Sequence, residues 1–95
     1  MITGKGFKFT DIPGQVVSDP VITCESPMDL TFNTDVHGDT ITTHFMGSGA
    51  RALADILRNG DLITMNGIAR DGVLVVGHIT MDKSAAIGRN LNTYA

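Results

Sequence analysis

Apolar and polar residues alternate at period two through most of this chain, and one short segment breaks the rule. Phe7-Lys8-Phe9-Thr10-Asp11-Ile12 alternates until Pro13-Gly14 interrupts it. Val16 and Val17 then resume an extended stretch that Asp19-Pro20 ends or bends. Proline donates no hydrogen bond to a ladder, so Pro13 predicts an edge or a kink in this first strand. Residues 21–23 read as extended, Glu25-Ser26-Pro27 as a turn, and Met28, Leu30 and Phe32 as one face of the next strand. After a loop over residues 35–39, residues 40–46 alternate again. Ile41, Thr43 and Phe45 then point inward, and Thr42, His44 and Met46 outward.

The exception follows directly. Ala50, Leu53, Ala54 and Leu57 have the spacing of a buried helical stripe, broadened by Ile56. Ser48 offers a cap and Asn59-Gly60 a stop, which predicts a helix over residues 49–59. Residues 62–69 and 73–81 return to strand, joined at Arg70-Asp71-Gly72, where Asp-Gly is a strong hairpin signal. The polar residues 84–95 read as a loose tail. Three strands, a helix and two strands predict an all-β domain with one short helix. We read residues 1–83 as a five-stranded OB-fold barrel, whose long first strand bends to close it. Such barrels mostly bind single-stranded nucleic acid or oligosaccharide on one open face.

Composition changes this picture in three places. The 95 residues suit one domain, near the size at which barrels gain from oligomerising. Only 18% are charged, which is compatible with a subunit interface. The net charge of −3 and pI near 5.3 oppose a globally basic nucleic-acid binder, although the seven Lys and Arg could still gather on one face. Cys24 has no partner for an internal disulfide, which predicts a reducing compartment. No apolar run follows Lys5 and none approaches membrane-spanning length, so neither a signal peptide nor a membrane is expected. The expected location is the cytoplasm.

Particular residues resemble bacterial and phage single-stranded DNA-binding proteins and their short primosomal relatives. Gly14-Gln15-Val16-Val17-Ser18-Asp19-Pro20 resembles the family's Gly-Asn-Leu-Gly-Arg-Asp-Pro, and Leu30-Thr31-Phe32-Asn33-Thr34 its Phe-Thr-Leu-Ala-Thr strand. His44-Phe45-Met46-Gly47 is similar to Val-Leu-Phe-Gly, Leu57-Arg58-Asn59-Gly60 to Leu-Lys-Lys-Gly, and Ile63-Thr64-Met65-Asn66-Gly67 to Val-Tyr-Ile-Glu-Gly. The glycine spacings match as well, with thirteen positions from Gly47 to Gly60 and seven to Gly67. The resemblance spans residues 7–82 and implies an OB fold and binding of single-stranded DNA in replication or recombination. It also implies a homodimer or homotetramer that meets other replication proteins. This chain departs from the family in having no Trp, with Met46 at the position of a stacking Phe and Thr40 at that of a Trp. The family's long DNA-wrapping hairpin is reduced to Arg70-Asp71-Gly72, and its acidic, Phe-ended tail has no counterpart.

Single-strand binding needs cations for phosphates and flat groups for bases. The candidates are Lys5, Lys8 and Arg70 for phosphates, with Phe7, Phe9, His44 and Met46 for bases and Thr42 and Thr64 in support. Phe7 and Phe9 share a face that fits core or interface, with Lys5 and Lys8 beside them fitting a groove edge, and Phe32 and Phe45 fall on the inward parity. Arg51, Arg58 and Lys83 read as solubilising charges. His37, His44 and His78 lack metal-ligand spacing, and no catalytic order of residues stands out, so no metal, cofactor or enzymatic role is expected. The alternative is a protein-interaction module of a replication or phage-type assembly, on the same fold.

Overall fold

The computed structural model describes residues 6–82 and 91–94. Chain order is β1 (Phe7–Val16), β2 (Val21–Glu25), β3 (Met28–Val36), β4 (Asp39–Phe45), α1 (Ala50–Ile56), β5 (Leu62–Arg70), β6 (Val73–Asp82) and β7 (Leu91–Tyr94). β1, β5, β6, β4 and β3 neighbour one another in that order, and β1 meets β3 through Gln15 and Val16 opposite Asp35 and Thr34. That last pairing closes a five-stranded OB-fold barrel. All barrel pairings are antiparallel except β4 with β6, the crossover that the intervening helix makes possible.

Alternation explains the core. Leu30 and Phe32 of β3, Phe45 of β4, Ile63 and Met65 of β5 and Ile79 and Met81 of β6 all point inward and are buried. Ala50 and Leu53 of α1, with Leu57 just beyond it, belong to the same cluster, and the helix packs on β3. Thr43 is inward and fully buried too, and its hydroxyl donates to the buried Thr34 hydroxyl at 3.0 Å. Thr43→Val is expected to cost about 1–3 kcal/mol, because it leaves Thr34 without that partner. The double variant Thr34→Val/Thr43→Val should recover most of the loss, as read by urea unfolding of all three proteins.

Several boundaries differ from the sequence expectation. The helix has 7 residues, begins at Gly49 without a side-chain cap, and is not capped by Ser48 as expected. It stops early because Leu57 turns extended and the chain is drawn back to β1, where the Gly60 N–H donates to the Val16 carbonyl at 2.7 Å. Gly60 still supplies a positive φ of 100°, but in the turn beyond the helix. The loop expected over residues 35–39 tightens to a two-residue turn at His37-Gly38, with φ of 54° and 89°. Asp71-Gly72, at 53° and 81°, makes the expected hairpin. β2 adds a strand outside the barrel, on β3. Residues 91–94, within the expected loose tail, form β7 against residues 79–82 of β6.

The bend in β1 arises before Pro13. The ladder to β5 shifts between Phe9 and Ile12, where Asp11 takes φ of 54° and its N–H donates to Asn66 Oδ1 at 2.6 Å. Opposite, β6 carries one extra residue, Gly77, because Asn66 pairs with His78 but Gly67 with Val76. These two bulges lie side by side and shape the surface described next.

Candidate nucleic-acid interface

Directly opposed residues of neighbouring strands share a face. Lys8 opposes Ile68, Ile68 opposes Val75, and Val75 opposes His44, which sets one outward row across β1, β5, β6 and β4. Beside this row lies a groove of about 440 Å³, lined chiefly by Lys8, Phe9, Met46, Asn66, Ile68 and His78. Its surface is largely apolar, as stacking surfaces are. Gly67 and Gly77 keep its floor low. A Cβ on Gly67 would run into the Val75 carbonyl oxygen and reach 2.8 Å from Val76 Cα, so β5 lies hard against β6 there. The far wall is fixed by the Met46 N–H, which donates to the Val76 carbonyl at 3.2 Å.

Two cations stand at the β1–β5 side. Arg70 lies two residues beyond Ile68 on β5 and folds over Gly6, its Nε 3.7 Å from where a Cβ would sit. Lys8 and Arg70 are thus diagonal neighbours, both exposed. Asp11 and Asp71 lie close in sequence to them and leave this rim nearly neutral rather than positive.

The other expected residues separate. Phe7 is 58% exposed and opposes Ala69, outside the groove lining, while Phe9 is partly buried against the core. Thr42 is exposed on β4 and donates to Asn33 Oδ1 at 3.4 Å. His44 is half-buried rather than free on the face. Its Nδ1 lies 3.1 Å from Asp29 Oδ1 and 3.1 Å from Thr31 Oγ1, which tethers the ring to β3. Thr64 does not join the His44 row, because it opposes Thr80 of β6, beyond the residues 73–76 that pair with β4. It lines a second groove of about 370 Å³ with Gln15, Asp35, His37 and Leu62. Lys5 lies outside the described residues.

Strict alternation overlooks two groove residues. His78 falls on the inward parity of Leu74 and Val76, yet the extra Gly77 flips the strand, so Ile79 and Met81 are buried and His78 is exposed. The signal was the jump in apolar parity around Gly77. Asn66 was missed because its role depends on Asp11, 55 positions away.

Among the described residues no group of three or more His, Cys, Asp or Glu is placed to hold a metal ion. Nor is any helix there long and apolar enough to cross a membrane. No family model matches the chain, and no curated protein matches it. Two solved structures resemble it. One is TiaS lacking its ZRD, in complex with agmatine, with a TM-score of 0.70 and 13% identity over 99% of this chain and 26% of that one. The other is TiaS with tRNA, AMPCPP and agmatine, with a TM-score of 0.62 and 15% identity over 87% of this chain and 20% of that one. The chain therefore spans about a quarter or less of those proteins, and at these identities the likeness is one of fold alone.

Proposed function

We propose that this barrel binds single-stranded DNA with little sequence preference, as a cytoplasmic protein of DNA replication or recombination. The observation that carries the reading is the groove across β1, β5, β6 and β4, which joins Lys8, Phe9 and Met46 on an apolar surface with Arg70 beside it. Bases would lie on Ile68 and Met46 while Lys8 and Arg70 take phosphates. An apolar floor accepts any base, which accounts for weak sequence preference. Direct binding of labelled oligothymidine, oligouridine and a duplex at low salt tests the class of ligand. The oligouridine arm is included because one structural neighbour is a tRNA complex. Binding to single strands with little response to the duplex supports the reading, and equal binding to all three opposes it.

Assembly is part of the proposal. Phe7, Val21 and Leu62 are each more than half exposed, and β2 ends the sheet with one edge unpaired by the described strands. Such edges and side chains are commonly covered by a second copy. Light scattering at high micromolar concentration should give a dimer or tetramer, whereas a mass of 10.1 kDa would contradict it.

One feature favours the second reading, a protein-interaction module. β2, β3 and β4, the strands on which OB barrels usually hold ligand, carry Glu25 and Asp29 at one end and Asp35 and Asp39 at the other. Loss of all oligonucleotide binding at low salt would make that module the better account.

A further inference from the structure

We infer that each protomer holds only a short single strand, about four nucleotides, confined to the groove and not wrapped around the barrel. The inference rests on the proposed single-strand binding and concerns the extent of the ligand. The groove runs from Lys8 on β1 to Met46 beyond β4, crossing the junctions of β1 with β5, β5 with β6 and β6 with β4. At about 4.8 Å between neighbouring strands this is a path of about 14 Å. OB domains take about 4–16 nucleotides, and so short a path belongs at the bottom of that range.

Charge closes the path at its β4 end. Met46 opposes Asp29 in the continued β3–β4 register, and Cys24 opposes Asp29 with Glu25 next to it on β2. A strand leaving the groove there meets the Asp29 carboxylate, while Glu25 opposes Met28 on the other face of the sheet. Following β4 instead leads towards Asp35, which opposes Thr40. His44 is engaged by Asp29, and the Arg51 guanidinium lies 3.7 Å from Glu25, so both nearby basic groups already face an acid. The β5–β6 hairpin offers no alternative surface, since its turn is only Asp71-Gly72. The groove is thus a nearly neutral, apolar passage whose β4 end is bordered by an acid that repels phosphate.

The test is a length series of labelled oligothymidine from about 3 to about 16 nucleotides, with stoichiometry counted per protomer. Affinity should climb to about four nucleotides and then grow only with the number of places the site can occupy on the strand. The slope of log affinity on log salt should stay constant beyond that length. A slope that keeps steepening to about 16 nucleotides at one strand per protomer would overturn the short footprint while leaving single-strand binding intact. Absence of binding at every length would instead remove the reading beneath it. Asp29→Asn/Asp35→Lys, at the two acids on the outward parity of β3, supplies the converse. Opening the acidic border should steepen the slope for the longest strands by about 0.7 per phosphate gained and leave the shortest unaffected. No change for the longest strands would show that these acids do not bound the site.

Discussion

Replacing Gly67 by alanine is expected to lower stability by about 3 kcal/mol, the upper end for forcing atoms into a packed interior. The new methyl would meet the Val75 carbonyl oxygen and Val76 Cα, both backbone atoms of the adjacent strand. A flexible side chain could swing away, but these atoms move only if the β5–β6 ladder opens. Gly77 provides the control. It sits on the same groove floor, takes no positive φ, and has nothing within 4 Å of its missing Cβ. Gly77→Ala should be neutral or stabilise by up to about 1 kcal/mol, because it restricts the unfolded chain without strain. Urea unfolding of both variants measures the difference. Equal midpoints would show that the close approach of β5 to β6 carries no energetic weight.

Removal of both groove cations should have the largest effect on ligand binding. Each phosphate contact on a single strand adds about 0.7 to the salt slope, so Lys8 and Arg70 together give about −1.4. Lys8→Ala/Arg70→Ala should flatten that slope towards zero. Hydrogen bonds to charged groups contribute about 1.5–3 kcal/mol each, so affinity at low salt should fall by at least tenfold. Lys8→Arg keeps the charge and should keep the slope. Both side chains are exposed and stand on the outer face, so folding should not be disturbed. An unchanged affinity in the double variant would place any binding surface elsewhere on the barrel. Lys5, close by in sequence, is expected to act in the same sense with a smaller effect.

Period-two alternation carried most of the fold. It assigned Leu30, Phe32, Thr43 and Phe45 to the interior, and all four are buried. The Asp71-Gly72 hairpin was legible because the turn's positive φ values favour those residue types. His37 concealed the other tight turn, since nothing local announces that a histidine will adopt φ of 54°. Helix length was overread, because the apolar stripe continues to Leu57 while the backbone has already left the helix to pair with β1. β7 was hidden by its short, polar sequence, which reads equally well as coil.

The candidate site was less legible, for a reason rooted in topology. Alternation tells which side of a strand a residue faces, but not which strand lies alongside. Thr64 and His44 both point outward, yet β6 lies between their strands and Thr64 opposes its Thr80 while His44 opposes its Val75. Lys8 on β1 and Met46 just beyond β4 have β5 and β6 between them, yet line one groove. His44 looked available because its partners Asp29 and Thr31 lie 15 and 13 positions earlier in the chain. The bulge at Gly77 then reversed the parity that would have displayed His78.

A salt titration of the unaltered protein against labelled oligothymidine tests the central claim most directly. The account predicts measurable binding at low salt, with log affinity falling linearly on log salt at a slope of about −1.4 and no steeper than about −2. Between about 50 and about 200 mM salt, affinity should drop about sevenfold, with the residual binding held by the apolar floor of the groove. Absence of binding at low salt, or an affinity indifferent to salt, would contradict it.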